Sequence, residues 1–214
     1  MELEQALHER RSIRAFRPDP VPEAIIREVL ETARWSPSWG NTQAWHVHVA
    51  CGATLAALKS AAQSPASGEA PAGPDFRMPR EWPPHLAART RELFEMRGAL
   101  TAAQGEGAPT PADFYGAPCV LYFTTERDVE SDYLLFDAGL LVQSVCLAAH
   151  DRGLGTCIMA MAVRDPDTLR QVLPGAAQQR FVIGVALGYP AADAPINSFG
   201  RSRLAVDELA TWNA

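Results

Sequence analysis

Arg10-Arg11-Ser12-Ile13-Arg14-Ala15-Phe16 places three arginines and a serine within five residues. Like charges this close repel unless something negative sits among them. Guanidinium forks suit bidentate contact with phosphate. In a chain of net charge −6, the cluster reads as a socket for one compact anion. Taken alone, a solvated basic patch at a helix end, favoured by the helix dipole, is the simpler reading. The rest of the chain has to decide between the two.

Outward from the cluster, Leu3, Ala6 and Leu7 repeat at helical spacing and form a short opening helix. Pro18, Pro20 and Pro22 interrupt the chain behind it. Ile25, Ile26, Val29, Leu30 and Ala33 then share one face of a second helix, which stops by Pro37. Ser36 to Asn41 is a loop by composition. Trp45, Val47 and Val49 alternate with Ala44, His46 and His48 as in a strand. Leu55 and Leu58 lie in an Ala-rich helix, and Leu86, Leu93, Phe94 and Leu100 suggest another. Cys119 to Phe123 is a short central strand. Tyr133 to Arg152 is apolar nearly all round, as in a buried helix, with Gly153 and Gly155 at its end. Thr156 to Ala162 is a strand or extended loop, Asp167 to Leu173 a brief helix, and Phe181 to Gly188 a buried strand. The sum is α+β without repeats. Regular βα alternation is missing, and no G-x-G-x-x-G follows a strand, so the doubly wound reading loses its support.

The 214 residues, 47% hydrophobic and 21% charged, suit one domain over residues 1–214 with a substantial core. An insertion or lid is expected at about 64–115, where Pro, Gly, Ser and Ala concentrate, and an arm at about 190–214. Acidity argues against a nucleic-acid partner. No run of about 18 apolar residues marks a membrane span, and the acidic start at Met1-Glu2-Leu3-Glu4 is no secretory signal. The expected location is cytoplasmic, with Cys51, Cys119, Cys146 and Cys157 as reduced core residues. No metal site is expected, since two histidines, His46 and His48, are too few ligands.

Two further segments bear on the anion. Ser36-Pro37-Ser38-Trp39-Gly40-Asn41-Thr42-Gln43-Ala44-Trp45 offers hydroxyls, two amides and two indoles between a helix and a strand. Amides read the edge of a planar heterocycle, and indoles cover a ring face. A capping turn with core tryptophans is the plainer alternative. Gly200-Arg201-Ser202-Arg203 repeats the arginine-plus-hydroxyl chemistry near the C-terminus, where a solvated tail is the alternative.

Together, the three ordered motifs resemble the FMN-dependent nitroreductase family over almost the whole chain. So does the helix running into Gly153-Leu154-Gly155-Thr156-Cys157. The resemblance implies a nitroreductase-like fold: a central, mostly antiparallel sheet flanked by helices, in an intertwined homodimer with two interfacial FMN sites. By motif match, Arg10, Arg11, Ser12 and Arg14 hold the phosphate and ribityl chain and approach the pyrimidine side. Arg201 and Arg203 close over the phosphate. Pro37, Ser38, Trp39, Asn41 and Gln43 reach the flavin from the second subunit. Met159, Ala160 and Met161 run against the ring near N5.

The implied activity is NAD(P)H-dependent reduction of nitroaromatic, quinone-like or other electron-poor small molecules. It follows a ping-pong cycle with NADH or NADPH as donor. The flavin carries the redox chemistry, so no catalytic side chain is expected. The chain departs from the family pattern where Ala160 and Met161 replace glycines, where Ala44 replaces a proline, and where Trp39 is bulky. These changes keep other flavin reactions open: dehalogenation, ene reduction, biosynthetic dehydrogenation, or a binding module without turnover. Trp39, Met161, Phe76, Trp82, Phe94 and Tyr115 are the candidates for a substrate wall.

Overall fold

The structure is a computed structural model and describes residues 1–63, 73–77, 79, 81–105 and 107–213; the lid segment 64–72 lies outside them. In chain order the helices are α1 (Leu3–Glu9), α2 (Glu23–Ala33), α3 (Gly52–Gln63), α4 (Pro84–Gln104), α5 (Tyr133–Asp151), α6 (Pro166–Val172) and α7 (Val206–Leu209). The strands are β1 (Trp45–Cys51), β2 (Cys119–Glu126), β3 (Gly155–Met159) and β4 (Gln179–Gly188).

The strands form one sheet in the order β1-β2-β4-β3, each neighbouring pair antiparallel. β2 is buried along its length up to Glu126, as expected for a central strand covered on both faces. Pleating divides its side chains between two cores. Val120 and Tyr122 join Ile13, Phe16, Phe181, α3 and α6 on one face. Leu121 and Phe123 join α2 and α5 on the other.

α5 ends where the sequence places its stop. Gly153 adopts φ +72°, and the amides of Gly153 and Leu154 donate to His150 and Ala149 at 3.0 and 2.9 Å. Tyr133–Asp151 does contain a window of mean hydropathy 1.4, long and apolar enough by composition to cross a membrane although polar residues interrupt it. Half of that window is buried, against the sheet and α2. The remaining apolar surface is concentrated at Tyr133 and Phe136, 58% and 64% exposed.

Past α1 the chain runs extended along the sheet edge. Ser12 bridges Thr156 in parallel, Ile13 donates to the Thr156 carbonyl at 2.9 Å, and Phe16 bridges Pro190. This close approach needs Gly155: a Cβ there would stand 2.6 Å from Ile13 Cγ1 and 2.9 Å from Pro190. α4 has no buried residue among its 21 and lies against the turn Pro195–Asn197.

Candidate functional site: an arginine-lined cavity

Alternation along the extended segment buries Ile13 and Ala15 and leaves Ser12 and Arg14 half-exposed. Asn197 fixes the segment in place. Its Oδ1 accepts from the Arg14 and Ala15 amides at 2.7 and 3.2 Å, and its Nδ2 donates to the Ala15 and Ala191 carbonyls at 2.8 and 3.0 Å. This side chain, 8% exposed, fastens the C-terminal stretch to the arginine motif from 182 residues away. Nothing local in the sequence singles it out; the nearest signal is a polar residue inside the irregular stretch after Pro190.

Arg10, Arg11, Arg201 and Arg203, with Leu7, His8, Gln143, Phe199 and Gly200, line a cavity of about 590 Å3. The two ends of the chain thus meet, as the motif reading expects. Arg201 Nη2 donates to the carbonyls of Leu7 (3.1 Å) and His8, which terminate α1. Arg14 sits nearby with its guanidinium 5.2 Å from the Phe199 ring centre and Nη1 on the Ser12 carbonyl at 3.4 Å.

Several arginines elsewhere have acidic partners: Arg17 with Asp19, Arg27 with Glu23, Arg34 with Glu31, Arg152 with Glu28, Arg170 with Asp75. Among the described residues no ion pair includes Arg10, Arg11, Arg14, Arg201 or Arg203. Arg10 Nε, Arg14 Nε and Arg201 Nη1 are buried donors without an acceptor. Burial, followed by the charges of Arg10, Arg203 and Arg11, holds Arg201 below the ordinary arginine pKa. Unpaired buried donors and uncompensated like charges are each costly. One compact dianion relieves both. Four guanidinium groups at its rim match the several oxygens of a phosphate monoester.

The loop after α2 is organised differently. Gly40, Asn41 and Gln43 all have positive φ (+55°, +56° and +49°), which twists the loop away from the body and leaves Trp39, Asn41 and Gln43 exposed. Its base is fixed by Asp137 of α5: both carboxylate oxygens accept from the Trp39 amide, at 3.1 and 3.0 Å. Asp137 is 3% exposed and sits inside an apolar helix, where sequence reading passes over it. Ser38 Oγ accepts from the Gln43 amide at 3.0 Å, and Ser36 Oγ meets Ser144 Oγ at 2.7 Å. The Trp39 ring lies 6.2 Å from Tyr133. Pro37, Ser38, Trp39, Asn41 and Gln43 are not among the residues lining the arginine cavity.

Met159 closes β3 and is buried, Ala160 opens a 3-10 turn, and Met161 is 50% exposed. The turn packs tightly on the sheet: a Cβ on Gly184 would stand 2.5 Å from the Ala162 Cβ. The proposed substrate aromatics are dispersed. Phe76 lies under Arg180 at 4.0 Å, and Trp82 is 50% exposed. Phe94 sits 5.5 Å from the Arg97 guanidinium. Tyr115 is buried in the core with its hydroxyl accepting from Arg97 at 3.3 Å. No ring contact joins these four among the described residues.

An antiparallel sheet, an apolar central helix and an arginine-lined cavity define an α+β protein with a socket for an anionic group. The chain belongs to the Nitroreductase family, whose model matches residues 7–189. It is 33% identical over 205 residues to 4-nitrobenzoate reductase of Pseudomonas putida, covering 91% of this chain and 88% of that one. It is 32% identical over 220 residues to nitroreductase NfnB of Mycolicibacterium smegmatis, covering 98% and 92%. The crystal structure of the FMN-dependent NfnB from Mycobacterium smegmatis in complex with NADPH superposes with a TM-score of 0.89 at 28% identity, covering 99% of this chain and 97% of that one.

Proposed function

We propose that this chain is an FMN-dependent NAD(P)H oxidoreductase that reduces nitroaromatic and related electron-poor small molecules, as a cytoplasmic homodimer. The observation that carries the reading is the arginine cavity: Arg10, Arg11, Arg201 and Arg203 line it with no carboxylate partner among the described residues, two of them with buried unpaired donors, and Arg14 stands beside it, in a chain whose relatives include 4-nitrobenzoate reductase and NfnB.

FMN fits this donor set by its phosphate, and when bound it supplies a carrier that takes hydride from a nicotinamide and passes reducing equivalents to an acceptor. Arg10, Arg11, Ser12 and Arg14 hold the phosphate and ribityl chain, and Arg201 and Arg203 close over them. A guanidinium beside the pyrimidine edge favours negative charge there, which makes reduction easier. Backbone N–H groups at Met159, Ala160 and Met161 line the ring. The Ser36–Gln43 loop of a second copy completes the wall. Its exposed Trp39 and the exposed Met161 bound the space left for substrate. The uncovered apolar groups support dimerisation: Tyr133 and Phe136 on α5, and Val206, Leu209 and Trp212 on the arm, 62%, 75% and 78% exposed. The segment 64–115 is proposed as the cover of the substrate side and 190–214 as an arm on the second copy.

Anaerobic stopped-flow tests the reading. FMN-loaded protein mixed with NADPH or NADH should lose its flavin absorbance at 1:1 stoichiometry, and 4-nitrobenzoate should restore it. Protein that retains no FMN, or whose bound flavin stays oxidised with both nicotinamides, overturns it.

A further inference from the structure

Cys51 ends β1 and Cys119 opens β2, and the strand register sets them directly opposite one another. Both belong to the core layer under α2 and α5. Opposed residues of an antiparallel pair have Cβ atoms about 4.5–5.5 Å apart, just above the roughly 3.5–4.5 Å a disulfide spans, so closure needs only a small approach of the two strands. The two thiols are not equivalent. Cys119 is fully buried, whereas Cys51 is half-buried on the edge strand.

We propose that Cys51 and Cys119 form a redox-active dithiol that a hydroperoxide closes to an intrachain disulfide. The hydrogen bond from the Cys119 thiol to the Cys51 sulfur draws Cys51 below the ordinary thiol pKa, while that bond and burial push Cys119 up. Cys51 is therefore the attacking thiolate and Cys119 the resolving thiol. The Cys51 sulfur attacks one peroxide oxygen, the O–O bond breaks, and the leaving oxyanion takes a proton. Cys51 becomes a sulfenic acid. The Cys119 sulfur then attacks the Cys51 sulfur, the S–O bond breaks, and the Cys119 proton leaves with the hydroxide as water. The two thiols lose two electrons to the hydroperoxide. Cys146 and Cys157 are both buried and are not set opposite one another by strand register, Cys157 facing Ala186 across its strand pair. Closure ties the edge strand, which among the described residues pairs only with β2, covalently to the centre of the sheet.

The test uses the whole protein treated with hydrogen peroxide, then unfolded in an alkylating agent and digested without reductant. Alkylated cysteines should fall from four to two, with the peptides of Cys51 and Cys119 joined and thiol reductant restoring both. In Cys119→Ala, Cys51 should stop at the sulfenic acid and be captured by dimedone. In Cys51→Ser, Cys119 should remain fully alkylatable. Wild-type protein in which Cys51 passes to sulfinic acid while Cys119 still alkylates overturns the proposal, as does a disulfide that joins two chains through Cys51. The wild-type map decides the question even where a variant fails to fold.

Discussion

At the residue scale, the arginines and the side chains that hold them have separable roles. With the FMN phosphate placed as proposed, Arg14→Ala and Arg203→Ala should each cost about 1.5–3 kcal/mol, or roughly ten- to a hundredfold in affinity by titration calorimetry. Unfolding midpoints without FMN should change little, because each guanidinium donates only to neighbouring backbone and Arg14 adds one ring contact, to Phe199. Asn197→Ala should in addition lower stability: the Arg14 and Ala15 amides lose their acceptor, and each unsatisfied buried group costs about 1–3 kcal/mol in urea unfolding. The arginines were legible in the sequence because charge density in five consecutive residues is a local signal. Asn197 and Asp137 were not: their importance comes from backbone groups that approach them only in the folded chain.

At the scale of elements, the extended segment, β3 and the loop after α2 each rest on one contact that a substitution isolates. Gly155→Ala inserts a methyl where 2.6 Å separates it from Ile13, so the segment must shift, with a cost of about 1–3 kcal/mol in chemical denaturation. Asp137→Ala releases the Trp39 amide, and hydrogen exchange at Trp39–Gln43 should accelerate while the amides of β2 keep their protection. On β1, His48 bonds Gln179 at 2.6 Å, and burial lowers its pKa from the ordinary 6.5. The unfolded chain then binds the proton more tightly, so its contribution to stability is complete above pH 6.5 and declines as the pH falls from there towards the folded value. His48→Gln should flatten that part of the profile of urea midpoint against pH. Apolar periodicity made the helices and central strands readable in outline. β3 stayed ambiguous between strand and loop because five residues, Gly155–Met159, hold too little pattern. The dispersion of Phe76, Trp82, Phe94 and Tyr115 was invisible, since aromatic composition carries no direction.

Across the whole molecule, the fold brings residues 10–14 and 201–203 together because the chain ends run along the same sheet edge, fixed by Asn197. The loop after α2 stands apart from that cavity, held on α5 by Asp137, with an exposed apolar face beside it. On the proposed reading, these two regions are halves of one site, and a second copy is what completes it. Sedimentation should give twice the chain mass, and Phe136→Glu should shift the protein towards monomer with a parallel loss of FMN. The most direct measurement for the central claim is titration calorimetry of the FMN-free protein with FMN and, separately, with riboflavin. A phosphate held by several arginines predicts that FMN binds at least about a hundredfold more tightly, with Arg14→Ala narrowing the ratio. Equal affinity for the two flavins would contradict the account.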